Sequence, residues 1–486
     1  MNRTLIGITT AALLFSGSPA SAQTKEKETE ELRAEVKRLA DELEAMKAKL
    51  AHGGAVPATL TVAPAAEATA ALTQAVAERI ELLEIKQKDA VVMGDIPGAF
   101  RVPGTELSLR LYGFAELNWV HDFGADNSDQ DYSTFAPYMP LDGTAEGNRK
   151  NRDYLTGRTS RLGLEAATPT PFGALGVKLE GDFNNEPRTG NAALYGDPRN
   201  VFTQQSTNSY GFRVRHLYGQ VGGLLVGQTW STFMDVDNFP ETVDYNGPIG
   251  ATFIRQPQIR FAYGTAGWGT FTASIENSSS YVLDETGAVF ASSLSRVPDA
   301  ILRWDKGYDW GALSLRGITQ ELRFDDGAGT EATKRGFGAA ASASFKVRGK
   351  DFLALQVTGG DGIGRYLNYI EGAIYDAATD AIRVERAVGA VAGYQLKAAD
   401  WVRVNFVYGV TRNFDNDYTR LAAASGIDAG RFGVNRTVQQ AHMGPIFTPV
   451  KGVDLGLEGI WAERKTLAGE RGEDLRVNFS AKYYIN

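Results

Sequence analysis

The chain of 486 residues contains no cysteine. Disulfide bridges, thiolate metal sites and thiol nucleophiles are therefore excluded. Histidine is scarce as well, with four residues, and none has a metal-ligand spacing such as H-E-x-x-H. Basic charge is not in excess, because 58 acidic residues outnumber 50 basic ones and the formal net charge is −8. That balance argues against nucleic-acid binding, which requires a basic patch. We predict no cofactor and no bound metal.

Long apolar runs are missing too, since no run after the N-terminus is long enough to cross a bilayer as a helix. At the N-terminus, Arg3 precedes an apolar run over residues 5–15. Small residues follow it, and Ala20-Ser21-Ala22 forms an A-x-A cleavage site. The pattern predicts a cleaved Sec signal peptide over residues 1–22 and an exported mature protein.

The next segment, residues 23–50, is rich in charge and has a heptad pattern. Its apolar residues alternate spacings of four and three: Leu32, Val36, Leu39, Leu43, Met46 and Leu50. This spacing predicts a coiled-coil helix, although a single solvated helix is an alternative. A coiled coil of this length needs a partner, most simply copies of itself. Residues 51–105 are predicted to be a linker with a second, weaker helix.

From residue 106 onward apolar and polar residues alternate with a period of two. Leu107, Leu109 and Leu111 alternate with Ser108 and Arg110. Short turns are predicted at 168–173, 222–223, 265–269, 307–311, 347–351, 397–401 and 448–452. Long polar stretches alternate with them, near 124–157, 186–209, 231–255, 279–296, 324–334, 360–384, 414–433 and 466–474. This asymmetry predicts an all-β fold, a transmembrane antiparallel β-barrel of about 16 strands over residues 106–486.

A soluble β-sandwich also alternates apolar and polar residues, but its strands are shorter and its turns lack this asymmetry. The last residues, "RVNFSAKYYIN", keep the two-residue period. We therefore expect the final strand to pair with the first and close the barrel. In that arrangement Val477, Phe479 and Ile485 face outward, and Arg476, Asn478 and Lys482 face inward.

Three segments carry a resemblance to a known family: "GAFRVPGTELSLRLYGFAELN", "RVRHLYGQVGGLLVGQTWSTF" and "PVKGVDLGLEGIWAERK". They resemble the DcaP-like porins of Gram-negative outer membranes, and the similarity covers most of the chain. For that family the resemblance implies a trimeric sixteen-stranded porin. It also implies passage of small anionic solutes, dicarboxylates among them.

Residues that could filter solutes are predicted in the loop after the fifth strand, which folds into the lumen in large porins. The acidic candidates there are Asp235, Asp237, Glu241 and Asp244. The wall that this loop would face carries Arg161, Arg213 and Arg215, and the last two share one face of a strand. Arginine binds carboxylates in a fork, so a basic wall facing an acidic loop would favour small anions. Further inward-facing candidates by alternation are Arg110, Arg260, Arg303, Arg316 and Arg403.

Each arginine has an alternative role as the structural partner of a carboxylate such as Glu165 or Glu180. The acidic loop could also lie outside the barrel or chelate a divalent cation.

The function predicted from the sequence is an outer-membrane porin for small anionic solutes. Its predicted partners are membrane lipid, copies of itself, these solutes and, through the leader, peptidoglycan or periplasmic proteins. One alternative is a cell-wall anchor or adhesin. The other is a barrel hydrolase, with His216 or His442 beside a serine.

Overall fold

The structure is a computed structural model, and it describes Arg38 and residues 96–125, 134–184, 211–287, 295–367, 372–430 and 432–485. The predicted signal peptide over 1–22 lies outside the described residues. So do the predicted coiled coil over 23–50, apart from Arg38, and most of the predicted linker over 51–105. The chain forms two compact units. Of the described residues, the larger holds those within Leu111–Glu165 and Thr170–Ile485, and the smaller includes 96–110 and Ala166–Pro169.

Strands account for most of the described chain. The first twelve are β1 (Phe100–Arg101), β2 (Ser108–Ala125), β3 (Lys150–Thr156), β4 (Arg161–Thr170), β5 (Gly173–Asp182), β6 (Arg213–Val221), β7 (Leu224–Trp230), β8 (Arg255–Thr265), β9 (Gly269–Glu276), β10 (Val282–Leu283), β11 (Asp299–Tyr308) and β12 (Gly311–Asp325). The others are β13 (Glu331–Lys346), β14 (Phe352–Asp361), β15 (Ala373–Asp376), β16 (Ala381–Val384), β17 (Arg386–Ala399), β18 (Val402–Asn413), β19 (Asn435–Val450), β20 (Val453–Thr466) and β21 (Arg471–Ile485). One α-helix, α1 (Asp417–Ala424), and two 3-10 turns, Ala136–Tyr138 and Gly364–Tyr366, complete the described elements.

The long strands form a closed antiparallel barrel of sixteen strands, as predicted. Each strand pairs with its neighbour in sequence, and β3 and β4 together make the second barrel strand. The last strand pairs with the first, from Gly113 opposite Ile485 to Asp122 opposite Arg476. Closure leaves no free edge, so every strand finds backbone partners on both sides.

The alternation of the sequence sorts side chains between two faces of the barrel wall. On β11, Ile301 is 1 % exposed and its neighbour Leu302 is 69 % exposed. On β21, Arg476 and Asn478 are buried and Ile485 is exposed, as the two-residue period predicts. The outer face is therefore apolar, and the inner face carries the polar and charged residues.

All seven predicted short turns lie between barrel strands in the structure. At 222–223, for example, Gly222 has φ +56°, which suits a tight two-residue hairpin turn. Three of the predicted long loops were wrong in extent, because residues of the barrel strands lie within them. The predicted loop over 124–157 contains β3, which is part of the second barrel strand. Only residues 326–330 separate β12 from β13, and only 467–470 separate β20 from β21. Polar strand ends beyond the apolar belt carry the same composition as loops, so the pattern did not distinguish them.

The longer loops contain structure of their own at the same end of the barrel. Strands β10, β15 and β16 form a separate three-stranded sheet, with β10 parallel to β15. Helix α1 begins with a capping box, in which Asn416 accepts the Thr419 N–H at 3.2 Å and donates its own N–H to the Thr419 hydroxyl at 3.0 Å. Within the part of the chain that the structure describes, no helix has the length and hydropathy of a membrane span.

Candidate functional site

The β7–β8 loop (residues 231–254) contacts inward-facing side chains of many barrel strands. Near its start, the buried Asp235 accepts a hydrogen bond from Arg303 Nη2 on β11 at 3.3 Å and another from the Ser342 hydroxyl on β13. Arg303 also donates to the carbonyl of Met234 at 2.6 Å and is held by Asp305 at 2.7 Å. The first part of the loop is thus fixed to β11 and β13.

Arg316 on β12 supports the same part of the loop. Its Nη1 donates to the carbonyl of Phe233 at 3.0 Å and its Nη2 to the Ser342 hydroxyl at 2.7 Å. Burial alone would raise the pKa of Asp235, but the charges of Arg303 and Arg316 lower it below the ordinary value. Asp235 is therefore a carboxylate at neutral pH.

Asp237 differs from Asp235 because it is only loosely paired. Its Oδ2 lies 4.0 Å from Arg303 Nη2, and its side chain is 37 % exposed. Burial, together with the negative charge of Asp235, raises the pKa of Asp237 to about 6. The charge of this side chain therefore changes near neutral pH.

Glu241, in the middle of the loop, forms a fork with Arg403 on β18. The Nε and Nη2 atoms of Arg403 donate to the two Glu241 oxygens at 2.7 and 2.8 Å. Gln395 on β17 donates to Glu241 at 2.7 Å, and Arg403 also binds Asp454 on β20 at 2.9 Å. Glu241 is therefore neutralised by an arginine outside the predicted basic wall.

Asp244 is buried, and its side chain accepts hydrogen bonds from backbone N–H groups. Its Oδ2 accepts the N–H of Thr134 at 2.7 Å, and burial raises its pKa. Beside it, Glu458 on β20 accepts the N–H groups of Val243 and Asp244, both at 2.9 Å, and Glu458 Oε1 also lies 3.2 Å from Nδ1 of His442. This turn of the loop is therefore anchored to β20 and to the segment before β3.

Glycines on the inner face of β17 and β18 allow the loop backbone to approach closely. A Cβ added to Gly409 would overlap the carbonyl oxygen of Ile249, and one added to Gly389 would overlap that of Gly250. Next to them, the N–H of Ile249 donates to Gln440 on β19 at 2.8 Å. The second half of the loop therefore lies directly against the barrel wall.

The structure brings Arg213 and Arg215 together, as their spacing predicts. Arg213 forms a fork with Asp182 on β5, at 3.0 and 2.9 Å. Arg215 donates to Glu180 at 2.9 Å and to Asp182 at 3.1 Å. Both guanidinium groups also donate to the hydroxyl of Tyr245, which comes from the β7–β8 loop. Tyr245 contacts this basic pair, whereas the loop carboxylates Asp235 and Glu241 bind arginines elsewhere.

Arg161 on β4 extends the same cluster. Its Nη1 lies 3.5 Å from Glu180 Oε1, and its guanidinium lies 5.1 Å from the centre of the Phe114 ring. Lys178 on β5 contacts Glu165 on β4 at 3.1 Å. Arg161 and Arg215 both contact Glu180, as expected if their role is to pair with a carboxylate of the barrel wall.

Two arginines on β8 have no hydrogen bond or ion pair from their guanidinium groups to any described residue. Arg260, predicted by alternation, is half-buried on the inner face beside Gln258. Arg255 was missed, because alternation from Gln256 would place it on the outer face. At the start of β8 it instead stacks on Trp230, with the guanidinium 4.2 Å from the ring centre. The same ring lies 5.8 Å from Arg215.

A second loop segment, residues 363–367, also packs against the inner face and was not predicted from the sequence. Phe233 of the β7–β8 loop meets Tyr366 edge to face, with ring centres 5.7 Å apart. Ile301, Ile318, Ala340, Ile363, Leu367 and Ala387 complete this buried cluster. Arg365 donates to Gln256 at 2.5 Å, and Tyr366 donates to Asp299 at 2.5 Å. Loops carry no periodicity, so no sequence signal marked this segment.

The two histidines named for a barrel hydrolase lie on β6 and β19. His216 lies 2.9 Å from the hydroxyl of Thr229, and His442 lies against Glu458. In the described ranges, neither histidine has a hydrogen bond to a serine. No group of three or more His, Cys, Asp or Glu side chains that could hold a metal occurs among those residues.

The family described as DcaP outer membrane protein matches residues 101–485. The chain belongs to the DcaP family. This DcaP-family protein is therefore an outer-membrane β-barrel of the porin type, and its fold and family are those of a channel rather than an enzyme. A search among curated proteins found no match.

A solved structure agrees with the family assignment. The outer membrane channel DcaP of Acinetobacter baumannii is 26 % identical, with a TM-score of 0.64, over 81 % of this chain and all of that one. An anion-selective porin from Comamonas acidovorans is 15 % identical, with a TM-score of 0.45, over 78 % of this chain and 100 % of its own. OmpF of Salmonella typhi, in complex with daunomycin, is 11 % identical, with a TM-score of 0.48, over 78 % and 98 %. The last two are too distant to support an argument about this DcaP-family chain.

Proposed function

We propose that this DcaP-family channel conducts small hydrophilic anions, dicarboxylates among them, by passive diffusion through a water-filled pore. The observation that carries the proposal is the charge of one wall. Strands β4–β8 contain six cations, Arg161, Lys178, Arg213, Arg215, Arg255 and Arg260, and only three carboxylates, Glu165, Glu180 and Asp182. A cationic wall in a confined aqueous channel attracts anions and repels cations.

The β7–β8 loop is proposed to narrow the channel and so to filter solutes by size. Its contacts with β11, β13, β18 and β20 support a course along the inner wall. Two of its carboxylates, Asp235 and Glu241, are compensated by Arg303 and Arg403. Asp235 and Glu241 therefore oppose the field of the β4–β8 wall less than two unpaired carboxylates would.

Removal of positive charge from this wall tests the proposal. Because Arg255 and Arg260 have no carboxylate partner among the described residues, an Arg255→Gln, Arg260→Gln variant should lower the anion-to-cation permeability ratio by about twofold. The ratio is measured from the reversal potential of the purified channel in a planar bilayer under a KCl gradient. An Arg213→Ala, Arg215→Ala variant should lower the ratio further, because Asp182 would lose both of its arginines and Glu180 would lose Arg215.

Arg386→Gln is the matched control, because Arg386 is exposed and pairs with Asp361 at the end of the barrel wall. Its reversal potential should equal that of the unmodified channel. If the β8 double variant also keeps an unchanged reversal potential, the cationic wall does not select anions.

Export, assembly and the role of the leader belong to the same proposal. We expect residues 1–22 to act as a cleaved signal peptide and the heptad pattern of residues 23–50 to join copies of the chain, most simply as a homotrimer. The leader could then contact peptidoglycan or periplasmic proteins. In the anchor alternative the barrel would be plugged, so an absence of conductance steps would favour that alternative.

A further inference from the structure

Tyr245, a residue of the β7–β8 loop, occupies a fixed position beside the cationic β4–β8 wall. Its neighbours on both sides are held: the N–H of Asp244 donates to Glu458 at 2.9 Å, and the N–H of Asn246 donates to the Asp244 side chain at 2.9 Å. Asp244 and Asn246 are buried, whereas Tyr245 is only partly buried. The backbone is therefore anchored while the phenol extends toward β5 and β6.

The hydroxyl of Tyr245 is surrounded by three charged side chains. Its oxygen accepts a hydrogen bond from Arg213 Nη2 at 2.5 Å and another from Arg215 Nη1. Its hydrogen is donated to Asp182 Oδ2 at 2.5 Å. The guanidinium carbons of Arg213 and Arg215 both lie 5.7 Å from the centre of the phenol ring. One neutral oxygen thus lies where two guanidinium groups converge.

Guanidinium groups bind carboxylate oxygens through charge-assisted hydrogen bonds, which are about twice as strong as hydrogen bonds between neutral groups. A phenol oxygen accepts the same hydrogen bonds but carries no charge, so its bonds to the guanidinium groups are weaker than those of a carboxylate. A solute carboxylate can therefore displace the hydroxyl, but only by breaking the contact between the loop and β6.

We propose that Tyr245 determines which solutes reach the Arg213–Arg215 pair, because its hydroxyl occupies the position that a solute carboxylate oxygen takes during passage. This inference rests on the proposed anion channel and adds a residue to it. Tyr245 acts in two ways. Its hydroxyl competes with the solute for the arginines, and its contact with Arg213, Arg215 and Asp182 holds the loop against the cationic wall.

Tyr245→Phe tests the inference because it removes the competing oxygen and keeps the ring. Block of the chloride current by succinate is measured on single channels in a planar bilayer. Succinate should block the variant at a concentration about fivefold lower than the unmodified channel, as expected when a neutral hydroxyl no longer competes for the two guanidinium groups. The chloride-to-potassium permeability ratio should stay the same, because the hydroxyl carries no charge.

Tyr375→Phe is the matched control. Its hydroxyl donates to Asp380 at 2.8 Å in the loop sheet, away from the arginine pair. Its succinate block should not change. An equal gain in both variants, or an unchanged or weaker block in Tyr245→Phe, would overturn the role of Tyr245. Cation preference, or no succinate block, in the unmodified channel would instead reject the anion channel itself.

Discussion

At the scale of single residues, charge placement decides what this pore wall can do. The sequence predicted that Arg213 and Arg215 share a face, because residues two apart on a strand do. It could not predict that Asp182 and Glu180 hold them, since those contacts depend on the register between β5 and β6. Tyr245 lies in a loop without periodicity, and Arg255 lies where a strand begins, so neither carried a pattern.

Asp237 gives the filter a predicted dependence on pH. Its pKa is raised to about 6, so the carboxyl is mostly neutral at pH 5 and mostly charged at pH 7. A negative charge that appears in the loop as pH rises should oppose anions. We therefore expect the anion-to-cation permeability ratio to fall between pH 5 and pH 7.

The measurement is the reversal potential of the channel at both pH values, beside that of Asp237→Asn. The variant cannot ionise and should lose this part of the pH dependence. The sign for stability is the same: the raised pKa favours the fold at low pH, and this contribution is lost as pH rises from about 4 through 6. An identical pH dependence in the variant would exclude Asp237 as its source.

At the scale of elements, the closing strand is the one whose partners were predicted best. The two-residue period of "RVNFSAKYYIN" correctly assigned its two faces and its pairing with the first strand. The β7–β8 loop was predicted only by its place in the chain and its charge. The position of the loop against the wall depends on Gly389 and Gly409. Their role is visible only in the structure, where the loop backbone lies against them.

Removal of one partner from the ion pair between Arg476 and Asp122 should destabilise this closure strongly. The two side chains are 1 % and 0 % exposed, and their bonds are 2.6 and 2.9 Å long. Arg476→Met leaves Asp122 buried without its cation, so we expect a loss of about 3–5 kcal/mol in the free energy of unfolding. Urea unfolding of the barrel refolded into lipid vesicles measures this loss.

Arg386→Met provides the comparison for that experiment. It breaks the ion pair between Arg386 and Asp361, whose side chains are 59 % and 40 % exposed. The expected loss in the free energy of unfolding is therefore below about 1 kcal/mol. Similar losses in the two variants would mean that the buried pair at the closing seam adds nothing beyond a surface contact.

At the scale of the whole molecule, fold and family agree while selectivity depends on details of the inner wall. Alternating short turns and long loops predicted about sixteen antiparallel strands. Closure into a barrel was predicted because every backbone polar group must be satisfied in lipid. Selectivity was harder to predict, since most inward arginines are bound by carboxylates, and the six cations and three carboxylates over β4–β8 leave a positive excess there. That balance requires both the strand order and the contacts.

The reversal potential of the unmodified, purified protein in a planar bilayer under a KCl gradient is the most direct test of an anion channel. We expect stepwise conductance and a reversal potential whose sign shows chloride passing more readily than potassium. Stepwise conductance with a preference for potassium, or a bilayer without conductance steps, would contradict the proposed anion channel.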